Sequence, residues 1–261
     1  MTAATPALWR ILPVFSLTVR QFLAGRMARV TLALALLPTL FGLIYLVRPA
    51  DITPRGFLTT TFQQLFLPTV LPIAVLLLAT SAFGNELEDR TLPYLTLKPR
   101  GRWRIVLEKW LAVVVAALPL LLGGLALTTL VASRGPVETA SRVAPETALA
   151  PLLGAMAGAT VAGTILLASV FLLVSLIVPR ALLAGMVYVF AWETLLGRFL
   201  PGVKSVSIRH AAESVFVALL GDPDVTVEGA STLRGALLAV AIASIVALGL
   251  AAWRLRSMDL E

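Results

Sequence analysis

Long uncharged apolar stretches constrain this sequence most strongly, because each is long enough, or nearly so, to cross a lipid bilayer. A helix needs about 20 apolar residues to span the hydrocarbon core, where its main-chain polar groups must pair internally. The predicted spans cover residues 30–47, 65–83, 110–133, 151–178, 181–201 and 235–253. The sequence therefore predicts an all-α polytopic membrane protein with six transmembrane helices, forming one domain over residues 1–261.

The composition supports this fold and excludes several classes of function. Hydrophobic residues make up 59% of the chain and charged residues 13%, which is typical of a protein surrounded by lipid. The net charge of +7 comes from short clusters, so it favours lipid headgroups over nucleic acid as the anionic partner. There is no cysteine and only one histidine, His210, which excludes disulfides, cysteine nucleophiles and a histidine-based metal cluster.

The distribution of Lys and Arg predicts the orientation. With six spans, the termini and the loops on their side carry thirteen Lys and Arg, whereas the other three loops carry eight. Cytoplasmic loops are enriched in these residues. We therefore expect a multi-pass protein of the cell membrane, inner or plasma, with both termini in the cytoplasm.

Two segments have amphipathic patterns. Over residues 6–29, apolar residues recur at helical spacing among arginines, which predicts a helix in the cytoplasmic interface or packed against the spans. Residues 206–220 predict a second amphipathic helix, on the outer face, before a turn at residues 221–224. Within the second span, Pro68 and Pro72 are expected to introduce a kink.

Two features inside the spans are candidate sites with simpler explanations. Glu193 would lie within the fifth span, where a carboxylate could bind a proton or substrate; an ion pair, for example with Arg198, is the favoured explanation. Gly154 and Gly158 form a GxxxG pattern on the fourth span, which favours close helix packing within the subunit over a contact between subunits.

The segment after the second span is the most unusual part of the sequence. Residues 83–103 place three acidic residues and then several basic ones in a short cytoplasmic connection that also contains leucines. Such a segment, joined to two spans, is suited to dock on a partner and transmit its movement. A solvated loop that merely follows the charge rule for cytoplasmic loops is the alternative.

These residues resemble the permease subunits of ABC-2 type ATP-binding cassette transporters. The resemblance lies in an acidic pair (Glu86, Glu88), Thr91-Leu92, the apolar Leu95, Pro99, Arg102 and Lys109, with Arg90 where the family usually has Gly. The interface with the ATPase predicted from it consists of Glu86, Glu88, Asp89, Arg90, Thr91, Leu92, Leu95, Pro99, Arg102 and Lys109.

The resemblance implies a permease that pairs with a second permease copy, identical or related, and binds two ATP-binding cassette subunits. The segment after the second span would then be the coupling helix, and the substrate an amphiphilic lipid-, peptide- or drug-like molecule moved outward. This chain is not itself expected to be an enzyme or to bind a cofactor. Its lysines Lys98, Lys109 and Lys204 follow Leu, Glu and Val, so none belongs to a P-loop, and ATP and Mg²⁺ would bind to the partner.

Two other functions remain open at this stage. An ion-coupled secondary transporter could use Glu193, although the sequence shows no clear inverted repeat. A non-transporting membrane scaffold would keep the docking helix and need no cavity.

Overall fold

A computed structural model describes residues 13–47, 52–88, 101–135, 149–178, 180–190, 207–222, 225, 227 and 229–257. Within these ranges the regular secondary structure is helical throughout. The helices are α1 (Pro13–Ala24), α2 (Arg26–Val47), α3 (the consecutive segments Pro54–Thr61, Phe62–Val70 and Leu71–Glu88), α4 (Arg102–Ala132), α5 (Leu149–Ile177), α6 (Ala181–Val187), α7 (Ile208–Leu220) and α8 (Leu233–Ser257).

Five of these helices, α2, α3, α4, α5 and α8, are long and apolar enough to cross a membrane. They correspond to the predicted first, second, third, fourth and sixth spans. Of the predicted fifth span, the structure describes a short apolar helix, Ala181–Phe190. Glu193 and Arg198 lie outside the described residues, so the sixth crossing and the role of Glu193 stay predictions.

All five spanning helices begin before the apolar stretches that predicted them. Helix α2 starts at Arg26 and α4 at Arg102, several residues ahead of the predicted spans. Apolar stretches indicate the hydrocarbon thickness, whereas a helix can continue beyond it when its side chains find polar partners. The charged first turns of α4 are therefore part of the helix.

Polar contacts define the two ends of the bundle. Helix α1 and the start of α4 lie together at one end, with the ends of α3 and α8. We name this the inner end, after the cytoplasmic side that the charge distribution predicts. Helix α7 and the start of α3 lie at the other, outer end.

The core is built around α3 and α5. About 72% of the apolar window of α3 is buried and 67% of that of α5, against 28% for both α2 and α8. Large apolar side chains such as Leu40, Ile44, Ile242 and Ile245 are exposed on α2 and α8. These faces are suited to contact lipid or another membrane helix.

Small residues bring α2 and α4 into close contact. A Cβ built on Gly124 would lie 2.1 Å from the carbonyl oxygen of Ala35, so only glycine fits there. One turn along each helix, the hydroxyls of Thr39 and Thr128 are 3.0 Å apart and form a hydrogen bond. This is the small-residue packing that membrane helices use for close approach.

The prolines of the second span coincide with a change of helix type. Residues Phe62–Val70 form a π-helix that contains Pro68, and the N–H of Leu71 donates to the carbonyl of Phe66, five residues earlier. A proline has no N–H to donate, so a local change of hydrogen-bonding pattern accommodates it. The π segment lies where the kink was predicted.

Candidate functional site: charged residues at the start of α4

The structure describes only part of the predicted ATPase interface. Glu86 and Glu88 lie in the last residues of α3, where the helix is described but not its side chains. Arg102 and Lys109 lie at the start of α4 and are described in full. The remaining six residues lie outside the described ranges: Asp89, Arg90, Thr91, Leu92, Leu95 and Pro99.

Lys109 joins α4 to the inner end of α3. Its side chain is fully buried, and its ammonium group donates a hydrogen bond to the carbonyl of Ala82. The same group lies 4.5 Å from the centroid of the Phe83 ring, close enough for a cation–π interaction. Because a buried lysine is stable only with such partners, these contacts hold the two helices in one arrangement.

Arg102 joins the start of α4 to the end of α8. Its guanidinium Nη1 donates to the carbonyls of Leu255 and Arg256, each at 2.8 Å. The last carbonyls of a helix have no partner within the helix, so an arginine is a favourable donor for them. Arg102 therefore caps α8 from a residue more than 150 positions earlier in the sequence.

Glu108 joins α4 to the N-terminal helix α1. One carboxylate oxygen accepts hydrogen bonds from the backbone N–H groups of Val14, at 2.9 Å, and Phe15, at 3.2 Å. The other oxygen accepts from Nε of Arg104 at 3.0 Å. A carboxylate at a helix N-terminus satisfies free N–H groups and interacts favourably with the helix dipole.

Sequence reasoning did not identify Glu108 as a functional residue. Its spacing from Arg104 is that of an ordinary i, i+4 pair on a helix surface, which gives no reason to expect burial. In the structure Glu108 is only 3% exposed. The partners that account for its burial are more than 90 positions away in the chain, and no local pattern reveals them.

Together four side chains at the start of α4 connect this helix to three others. We name Arg102, Arg104, Glu108 and Lys109 the inner junction; it joins α4 to α1, α3 and α8. Within the described part of the chain, no group of His, Asp and Glu residues could hold a metal ion. The arrangement can transmit a displacement of α4 to three other helices.

The start of α4 lies within a region that matches a known family. The model of the ABC-2 family transporter protein matches residues 25–192, well over half of the chain. The chain belongs to the ABC-2 transporter family. The chain is thus a membrane permease. Permeases of this family are transmembrane subunits without an ATPase domain of their own, and they generally work with ATP-binding cassette subunits. Among curated proteins, no match to the chain was found.

The family match covers some parts of this permease and not others. Residues 25–192 include α2 to α6 and the whole inner junction. Helices α1, α7 and α8 lie outside the matched region. Two contacts of the inner junction, from Glu108 to α1 and from Arg102 to α8, therefore reach segments beyond the match.

Proposed function

We propose that this ABC-2 permease exports an amphiphilic molecule, lipid-, peptide- or drug-like, using ATP that separate nucleotide-binding subunits hydrolyse. ATP and Mg²⁺ bind to those subunits. The predicted interface residues from Glu86 to Pro99 form the coupling segment that contacts them. The permease lies in the cell membrane with both termini in the cytoplasm.

The inner junction is the observation that supports this proposal. The coupling segment connects α3 to α4, and Lys109 binds these two helices together directly beside it. A force applied to the segment would therefore move α3 and α4 together. Through Glu108 and Arg102 the same displacement would reach α1 and α8.

The permease would act as a pair, with an identical or a related second copy. The exposed apolar faces of α2 and α8 leave room for a membrane partner in addition to lipid. Membership of the ABC-2 family favours transport driven by ATP over ion-coupled transport through Glu193.

Co-purification tests the proposal. The tagged full-length protein is purified in mild detergent from the cells in which it is native, and ATP hydrolysis is measured in the eluate. The double variant Glu86→Ala with Arg102→Ala is compared with wild type. Arg134→Ala is the matched control, because Arg134 is exposed at the opposite end of α4.

We expect an ATP-hydrolysing subunit to co-purify with wild type and with the Arg134→Ala control. In the double variant, we expect the amount of this subunit or its ATPase activity to fall. If no ATP-hydrolysing subunit co-purifies with wild type, the proposed function is wrong. If the double variant behaves like wild type, the assignment of Glu86 and Arg102 to the interface with the ATPase is wrong.

A further inference from the structure

Several side chains hold α7 against the outer end of α3. The rings of Phe62 on α3 and Phe216 on α7 are both buried, with centroids 4.9 Å apart. Beyond the end of α7, Asp222 forms an ion pair with Arg55 in the first turn of α3. At the other end of α7, the hydroxyl of Ser207 accepts from the N–H of His210 and caps the helix. Helix α7 is thus a formed element docked on the π-helical part of α3.

Pro68 leaves one carbonyl of α3 without its main-chain donor. In a π-helix each N–H donates to the carbonyl five residues earlier. Pro68 lies inside the π segment and has no N–H, so the carbonyl of Gln63 lacks this bond. A partly buried main-chain carbonyl is stabilised by another donor.

Arg209 of α7 supplies that donor. Its Nη2 lies 3.4 Å from the carbonyl oxygen of Gln63, and its Nε donates to a carboxylate oxygen of Glu213 at 2.6 Å. The side chains of Arg209 and Glu213 are 26% and 12% exposed, so the protein excludes most of the water around the pair. Glu213 thus fixes the direction in which the guanidinium points.

This contact depends on the helix type of the segment. In an α-helix each N–H donates to the carbonyl four residues earlier. If Phe62–Val70 were α-helical, Pro68 would leave the carbonyl of Gln64 without a donor, and Gln63 would be paired within the helix. The two carbonyls point in different directions around the helix axis. The bond from Arg209 to Gln63 is therefore favoured by the π form.

We propose that Phe62–Val70 can change between π-helical and α-helical hydrogen bonding, which makes it a register switch. Arg209 is the positioning residue that holds this segment in the π form and keeps α7 docked. Conversion to the α form pairs the Gln63 carbonyl within the helix and weakens its bond to Arg209, so α7 is held less firmly on α3. This inference does not depend on the identity of the ATPase partner. Under the proposed function, it places a movable element at the end of the permease from which an exported molecule leaves.

Disulfide formation between α5 and α7 gives a direct test, because the chain has no cysteine of its own. A Cβ built on Gly163 of α5 would lie 3.5 Å from the Cβ of Ala212 on α7, a separation that suits a disulfide. Only the flexible end of Leu71 needs to shift to admit the new side chain. The rate of oxidation of the variant with Gly163→Cys and Ala212→Cys then reports how much of the time α7 lies in its place against α5, beside the π segment of α3.

The effect of Arg209→Ala on this cross-linking rate is measured in two backgrounds, one with Pro68 and one with Pro68→Ala. With Pro68, removing a charged donor to a carbonyl is expected to raise the ratio of undocked to docked α7 about tenfold and to slow cross-linking accordingly. In the Pro68→Ala background the restored N–H pairs within the helix in either register, so Arg209→Ala should have no further effect. Arg209→Lys, which keeps a charged donor, should recover part of the rate. Arg234→Ala, an exposed arginine in α8, serves as the control and should have none of these effects.

An equal effect of Arg209→Ala in the two backgrounds would overturn the proposal, because Arg209 would then act only through Glu213 or through general packing. Failure of the double-cysteine protein to cross-link at all would also overturn it, because α7 would not be docked. The experiment uses the permease alone, so neither result depends on whether an ATP-hydrolysing subunit binds.

Discussion

The two ends of α3 are attached to neighbouring helices by the same kind of bond but with different consequences. At the inner end Lys109 donates to the carbonyl of Ala82, and at the outer end Arg209 donates to the carbonyl of Gln63. Lys109 is fully buried and packs on Phe83, whereas about a quarter of the Arg209 side chain is exposed. The inner attachment joins two long helices, whereas the outer one joins α3 to the short helix α7.

Under this proposal, the inner end of α3 keeps one backbone conformation, whereas the outer end can change its hydrogen-bonding pattern. Around Ala82 the helix is α-helical, so the bond from Lys109 adds a connection without selecting among backbone states. Around Gln63 the bond exists because Pro68 and the π register leave a carbonyl free. In the proposed transport cycle, a displacement of the inner junction moves the inner end of α3. This movement changes the hydrogen-bonding pattern of Phe62–Val70 at the outer end.

The largest effect is expected from removing the fixed attachment. Lys109→Ala should lower the free energy of unfolding by about 2–4 kcal/mol, because it removes buried side-chain volume and leaves the Ala82 carbonyl without this donor. Lys109→Met keeps most of the volume and should recover much of that loss. Thermal or chemical unfolding in detergent measures both variants. A Lys109→Ala variant as stable as wild type would contradict the fixed-end account.

A smaller effect is expected where the inner junction contacts α1. Glu108→Ala removes the acceptor for the N–H groups of Val14 and Phe15 and should lower the free energy of unfolding by about 1–2 kcal/mol, a typical cost of losing a helix cap. Hydrogen exchange at these two amides should become faster, while amides of α7 remain unchanged. Glu108→Gln keeps an acceptor oxygen and is the matched control. Unchanged exchange at both amides would show that Glu108 does not hold α1.

At the outer end, the ion pair between Arg55 and Asp222 should contribute less to the free energy of unfolding. The Arg55 side chain is 41% exposed, and pairs accessible to solvent contribute roughly 0–1 kcal/mol. A double-mutant cycle with Arg55→Ala and Asp222→Ala should therefore give a coupling energy of at most about 1 kcal/mol that falls at high salt. A larger coupling insensitive to salt would mean that the outer end is as fixed as the inner one.

The smallest effect is expected from replacing two glycines of α5 by alanine. A Cβ on Gly158 would lie 2.4 Å from the end of the Leu219 side chain on α7, whereas one on Gly154 would contact nothing within 4 Å. Gly158→Ala should displace α7 slightly and slow the Gly163–Ala212 cross-link, at a cost of about 1 kcal/mol or less, because a flexible side chain can move. Gly154→Ala should leave the cross-linking rate unchanged. Equal rates in the two variants would argue against the packing of α7 on α5.

The apolar stretches predicted much of the fold because the thickness of a bilayer sets the length of a spanning helix. Five predicted spans have a corresponding helix long and apolar enough to cross a membrane. Of the two glycines predicted to pack within the subunit, Gly158 faces Leu219 of α7, whereas a Cβ on Gly154 would meet no atom of the described residues within 4 Å. The close approach at Gly124 was not predicted, since a single glycine in an apolar stretch does not reveal which helix it will meet.

The sequence predicted the candidate site only in part, because the contacts that build the site join residues far apart in the chain. The family resemblance identified Arg102 and Lys109, but their partners could not be read from a local pattern. Glu108 was missed because its spacing from Arg104 is typical of a solvated pair. The bond from Arg209 to Gln63 joins residues 146 positions apart and depends on a helix register that propensities do not predict.

One measurement tests the central claim that movement passes along α3 from the inner junction to α7. The Gly163–Ala212 cross-linking rate is measured in the assembled complex with its ATP-hydrolysing subunits, with and without ATP, in wild-type and Lys109→Met backgrounds. We predict that ATP changes the rate in the wild-type background and that Lys109→Met, although folded and bound to the same subunits, loses this response. A rate that does not respond to ATP in wild type, or a full response in Lys109→Met, would contradict the account.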